Sequence, residues 1–203
     1  MKASALTAWE LFCRRGDRLL FGGVDLWLNR GDALHLVGPN GIGKTSLLRM
    51  LAGFIRPYET GLPSPPAGRV GVIDWVGTVG LLNEKPALDE HVSLARALAF
   101  WGAVDGHGAV DLDRLGISRL LDVPVRYLST GQRKRAAMAR LIGQNADNWL
   151  LDEPLNGLDG EGIKLIEALI EEHRASGGSV IVASHQPIKL HKRQTLELGD
   201  YPA

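Results

Sequence analysis

The sequence predicts an α/β fold: a mostly parallel sheet, an antiparallel β subdomain at the N-terminal end and a helical subdomain inserted in the core. Three observations predict it. Strand-length apolar runs separated by turn clusters fill the opening third. At Lys44 the hydrophobic period changes to that of a helix, and from residue 131 to residue 183 helices and short apolar strands alternate.

In order, residues 6–13, 24–28 and 33–37 read as strands, divided by the turn clusters Arg15-Gly16-Asp17 and Asn29-Arg30-Gly31-Asp32. From Lys44, Leu47, Leu48, Leu51 and Ala52 share one helix face, and Gly53 is placed as its stop. Residues 56–68 are proline- and glycine-rich and predict an irregular loop, followed by a strand over 69–76. Residues 88–122 predict helix, with Ala95, Leu98 and Ala99 on one face and Leu112, Leu115, Leu120 and Leu121 on another. Residues 102–108 predict a mobile joint within that part. A helix over 131–144, a strand over 148–151, a helix over 160–175 and a strand over 179–183 complete the series. The chain of 203 residues suits one domain, residues 1–203, with the helical subdomain at about 88–140.

Composition narrows the classes of function. Lys plus Arg and Asp plus Glu both number 23, so no net field draws the chain to nucleic acid or to an anionic bilayer, and no nucleic-acid partner is expected. The single cysteine, Cys13, forms no internal disulfide and reads as a small buried hydrophobe of a reducing compartment. The first residues lack a sustained apolar segment, and the longest apolar runs are strand-length, so neither a leader nor a spanning helix is expected.

Two motifs carry chemistry. Gly38-Pro39-Asn40-Gly41-Ile42-Gly43-Lys44-Thr45 satisfies G-x-x-x-x-G-K-[ST] between a predicted strand and a predicted helix that continues with Ser46. Glycines let successive N–H groups turn inward on a phosphate, and the helix start adds its positive end. Lys44 is expected to reach the β- and γ-phosphates of ATP, and Thr45 to hold Mg²⁺ through its hydroxyl. The second motif is a hydrophobic strand ending in Asp152-Glu153-Pro154, which puts two acids at the carboxyl edge of a parallel sheet, where ligands bind. Asp152 suits a magnesium shell, and Glu153 suits the water that attacks the γ-phosphate. A glycine-rich turn or an acid pair alone is common, but the two in this order are not.

With these motifs in place, Leu128-Ser129-Thr130-Gly131-Gln132 resembles the LSGGQ signature of the ABC ATPase family. Leu155-Asn156-Gly157-Leu158-Asp159 resembles its D-loop, and His185 its switch histidine. The resemblance implies a P-loop NTPase core that binds and hydrolyses ATP with Mg²⁺, with Lys44, Glu153 and His185 as catalytic residues. It further implies that Ser129, Gly131, Gln132 and Asp159 serve nucleotide across an ATP-dependent head-to-tail dimer of two copies, driving a membrane-spanning permease. Two departures from the family pattern stand out. Arg15 occupies the position of the usual adenine-stacking aromatic, with Phe12 as the alternative. Residues 77–83, where the family's Q-loop is expected, contain no glutamine, and Asn83 substitutes only if the loop reaches further.

Cys13-Arg14, the run Gln132-Arg133-Lys134-Arg135 and His185-Gln186-Pro187 are similar to the branch of ATP-binding subunits that serve cytochrome c maturation, also called haem exporters. That likeness implies ATP-driven haem handling at the cytoplasmic face of the inner membrane. No C-x-x-C-H pattern offers a haem attachment site. Another small-substrate exporter or a non-transport ABC ATPase remains an alternative, as does a P-loop kinase, in which residues 128–132 would be a plain helix start.

Overall fold

In the computed structural model, which describes residues 3–59, 70–106 and 108–202, the chain opens with a long hairpin. Strands β1 (Ser4–Arg15) and β2 (Arg18–Asn29) pair antiparallel up to Arg15 and Arg18. Gly16 in the connecting turn takes φ 57°, a left-handed conformation that glycine adopts without steric cost. Strand β4 (Val72–Trp75) flanks β1 on its other side, also antiparallel, giving the order β2-β1-β4. The strand expected over 69–76 is therefore shorter and belongs to this antiparallel sheet. Most of the expected loop at 56–68 lies outside the described residues.

The second sheet holds β5 (Val79–Leu82), β6 (Asn148–Asp152), β7 (Ser179–Ala183), β3 (Ala33–Val37) and β8 (Arg193–Glu197), in that spatial order, with every pair parallel. Alternation along its strands serves two cores at once. Leu34, Leu36, Leu150, Ile181 and Ala183 face helix α1 (Lys44–Leu51) and the antiparallel sheet. Ala33, Trp149, Leu151, Val180 and Val182 face α3 (Thr130–Gly143) and α4 (Gly160–Ala175).

Between β5 and β6 the chain forms the helical part, α2 (Leu94–Asp105) and α3. The helix expected across 88–122 is limited to α2. Leu112, Leu115 and Ile117 reach the core from turns instead, with one 3₁₀ turn at Ser118–Leu120. Gly116 at φ 65° interrupts the backbone, and the N–H of Ile117 closes back on the carbonyl of Leu112. Residues 102–105 of the expected joint are the end of α2, which stops at Gly106 with φ 97°, and residue 107 lies outside the described residues. Cys13 is buried, and burial pushes its thiol pKa up. Among the described residues no helix is long and apolar enough to cross a membrane.

Candidate active site

The groups that carry the sequence motifs leave the carboxyl ends of neighbouring strands in the parallel sheet. Strand β3 runs into Gly38, and α1 begins at Lys44. Between them Gly41 and Gly43 take φ 78° and 119°, and a side chain at Gly43 would come within 2.9 Å of the Phe21 ring. Glycine is thus required there twice over, by backbone conformation and by space. No side chain caps α1, so its first N–H groups are left to an outside acceptor, the arrangement that binds phosphate. The Lys44 ammonium donates to the carbonyls of Gly38 at 2.6 Å and Pro39 at 3.0 Å. Burial pushes its pKa down, and the carboxylates of Glu153, Asp152 and Glu197 oppose that shift. The N–H of Ile42 turns back to Pro39 at 3.4 Å.

Strand β6 delivers Asp152, buried, to the hydroxyl of Thr45, which donates to Asp152 Oδ1 at 3.2 Å. Burial is the main influence on Asp152 and raises its pKa. The Thr45 hydrogen bond and the charges of Arg49 and Lys134 work against it, while Glu84 adds to it. Glu153, the next residue, sits in the left-handed region at φ 47° with its N–H bonded to the Ala183 carbonyl at 2.9 Å. Its carboxylate accepts the backbone N–H of His185 at 3.2 and 3.3 Å, and His185 Nε2 lies 3.4 Å from Oε1. Lys44, Thr45, Asp152, Glu153 and His185 line an open cleft of about 640 Å³ that also takes in Asn40, Ser46 and Asn156.

The oxygens of Thr45 and Asp152 are hard donors already within hydrogen-bond distance of each other. Among the described residues there is no group of three or more acidic, histidine or cysteine side chains that could hold a metal ion by itself. One carboxylate and one hydroxyl, completed by phosphates and water, is the donor set that suits Mg²⁺.

The two candidates for adenine contact have different surroundings. Arg15, at the end of β1, lines the cleft beside Leu20. The Phe12 ring packs over Gly22 instead, so closely that a Cβ there would fall 2.6 Å from it. The cleft also brings in a residue that the sequence reading missed. Because residues 79–82 form β5 rather than a loop, the segment leaving that strand begins at Asn83, and Glu84 is the side chain that lines the cleft. The signal lay in Val79-Gly80-Leu81-Leu82, a short apolar run that pairs with β6.

Ser129, Gly131, Gln132 and Asp159 do not line this cleft. Ser129 and Gln132 form a reciprocal cap at the start of α3. The Ser129 hydroxyl accepts the Gln132 N–H at 3.2 Å, and Gln132 Oε1 accepts the Ser129 N–H at 2.8 Å. A Cβ at Gly131 would meet the Gly157 carbonyl at 2.9 Å, so the start of α3 touches the segment after β6. Asp159 caps α4, accepting the Gly162 N–H at 2.7 Å.

Comparison with known proteins identifies the family. The family model described as ABC transporter matches residues 21–156. The "Cytochrome c biogenesis ATP-binding export protein CcmA" of Novosphingobium aromaticivorans is 46% identical over 201 residues, covering 99% of each chain. The protein of the same name from Sphingopyxis alaskensis is 48% identical over 192 residues, covering 92% of this chain and 93% of its own length. Among solved structures, one titled as an ATP binding subunit of an ABC transporter superposes with a TM-score of 0.75 at 19% identity, covering 89% of this chain and 79% of that one. A nucleotide-free ATP-binding cassette from an ABC transporter gives 0.72 at 19% identity, covering 90% and 82%. The chain belongs to the ABC transporter family as an ATP-binding, ATP-hydrolysing subunit, in the branch of the cytochrome c biogenesis ATP-binding export proteins.

Proposed function

We propose that this chain binds MgATP in the cleft at the carboxyl edge of its parallel sheet and hydrolyses it to drive haem handling in c-type cytochrome assembly. The observation that carries the site reading is the convergence on one cleft of the Gly38–Thr45 loop, Asp152, Glu153 and His185. The loop amides and Lys44 bind the β- and γ-phosphates, and Arg15 lays its guanidinium against the adenine. Thr45 and Asp152 hold the magnesium ion, which supplies charge neutralisation on the phosphate oxygens. Glu153 orients and polarises the attacking water, and His185 donates to the γ-phosphate.

The remaining residues act between subunits. Ser129, Gly131, Gln132 and Asp159 of one copy face the nucleotide held by the other, so that two copies close head to tail around two ATP molecules. The haem and cytochrome reading rests on the names of the relatives, and it implies a membrane-spanning permease of the same system and a place on the cytoplasmic face of the inner membrane.

Glu153→Gln tests the site. The amide keeps the shape and loses the charge, so turnover is expected to fall roughly 10²-fold or more while ATP affinity is unchanged. Steady-state ATPase rates beside equilibrium nucleotide binding decide it, and a variant with near-normal turnover moves the catalytic role away from Glu153.

A further inference from the structure

We propose that Lys134 is a positioning residue for Glu153, holding the main chain of the acid pair from within α3; this inference rests on the ATPase reading above. Lys134 is the fifth residue of α3 and is only 3% exposed. Its ammonium donates to the Glu153 carbonyl at 2.9 Å and reaches the Glu84 carbonyl at 3.5 Å. An ammonium is costly to bury. Burial pushes its pKa down and the charges of Asp152, Glu84 and Glu153 oppose that shift, while its near partners are main-chain carbonyls.

What it holds is a backbone in need of holding. Glu153 is one of four non-glycine residues with positive φ among those described, a conformation that persists only where the surroundings fix it. Its N–H is fixed by the Ala183 carbonyl. The next residue is Pro154, which has no N–H, so the Glu153 carbonyl is the remaining handle on that peptide; Lys134 grips it at 2.9 Å, and the Asn156 N–H reaches it more loosely at 3.4 Å. Between these two anchors the side chain is aimed at the His185 N–H. Lys134 also reaches Glu84 at the exit of β5, so one ammonium ties three segments together: the start of α3, the end of β6 and the segment after β5.

Lys134 touches neither nucleotide nor water in this scheme, so its removal separates kcat from KM. In the full chain, Lys134→Met is expected to lower kcat about 10²-fold, the cost of displacing a catalytic group by about an ångström, with KM and ATP affinity within about twofold of wild type. Lys134→Gln keeps a shorter N–H donor and is expected to recover part of the rate, leaving a loss of about tenfold. Placed on Glu153→Gln, Lys134→Met is expected to add no further loss, because the carboxylate it positions is already gone. Three results would overturn the inference: normal kcat in Lys134→Met beside an inactive Glu153→Gln, losses that multiply in the double variant, or equal damage to KM and kcat. If Lys134→Met does not fold, Lys134→Gln decides alone: lower kcat at unchanged KM supports the inference, and unchanged kcat overturns it. Full turnover in Glu153→Gln would instead reject the reading of Glu153 itself.

Discussion

Lys44 spends its ammonium on the carbonyls of its own loop, at 2.6 and 3.0 Å, and this sets what its removal does. Lys44→Ala loses a charge that opposes the triphosphate and loosens the loop that shapes the amide cradle. Binding is expected to weaken by about 1.4–2.7 kcal/mol, roughly 10- to 100-fold, measured by titration with a labelled ATP; unchanged affinity would remove the loop from the argument. The glycine loop, the acid pair and His185 were legible at this scale because each motif follows a strand that the hydrophobic pattern locates. Glu84 was not, since finding it requires knowing where β5 ends. That Arg15 lines the cleft while the Phe12 ring turns onto Gly22 needed the path of β1.

Two histidines, His35 buried and His173 half-buried, lie on separate elements of the parallel sheet and its helices. His35 is on β3, and His173 on α4 stacks on Trp149 at 3.9 Å with the rings 5° from parallel. Burial lowers both pKa values below the ordinary 6.5. The unfolded chain therefore takes up protons that the folded chain refuses. Stability is full above about pH 6.5 and is lost as pH falls through that value, by up to about 1.4 kcal/mol per pH unit for each histidine. Asp152, raised from 3.8, has the opposite sign but acts from the carboxylate range upward. Thermal unfolding followed between about pH 7 and pH 6 is expected to show a falling midpoint, and His173→Phe, which keeps a ring against Trp149, to flatten the slope. A slope unchanged in the variant would show that His173 does not titrate on unfolding.

Legibility at the scale of elements followed apolar pattern and failed where packing departed from it. Strands β3, β6 and β7 and helices α1, α3 and α4 were legible because they bury continuous or periodic apolar faces. Strand β8 reads Arg-Gln-Thr-Leu-Glu, a polar strand at the edge of the sheet, and offers no apolar run. Leu112, Leu115 and Leu120 have helical spacing, but Gly116 breaks the backbone between them, so the same side chains reach the core from turns.

For the molecule as a whole, the cleft is open and the signature residues lie outside it, which makes assembly the decisive prediction. Glu153→Gln is expected to form a dimer in MgATP and revert to a monomer without nucleotide, read as mass by light scattering. Ser129→Arg, added to that variant, is expected to abolish the dimer while each chain still binds ATP, since the cation blocks the partner's phosphate and leaves its own loop untouched. A dimer that forms equally without nucleotide, or that survives Ser129→Arg, would reject the head-to-tail arrangement.

The sheet order β5-β6-β7-β3-β8 has a consequence in time. Chains emerge from the ribosome amino end first, and the loop after β3 is made early. Strand β7, which separates β3 from β6 and pairs with both, is made after both. Until Ala183 is out, nothing sets the spacing that brings the Thr45 hydroxyl to Asp152, and nothing supplies the carbonyl that fixes Glu153. A nascent chain can thus carry the whole glycine loop and both acids and still be unable to fire on cytosolic ATP. Synthesis itself keeps the motor disarmed until β7 is made.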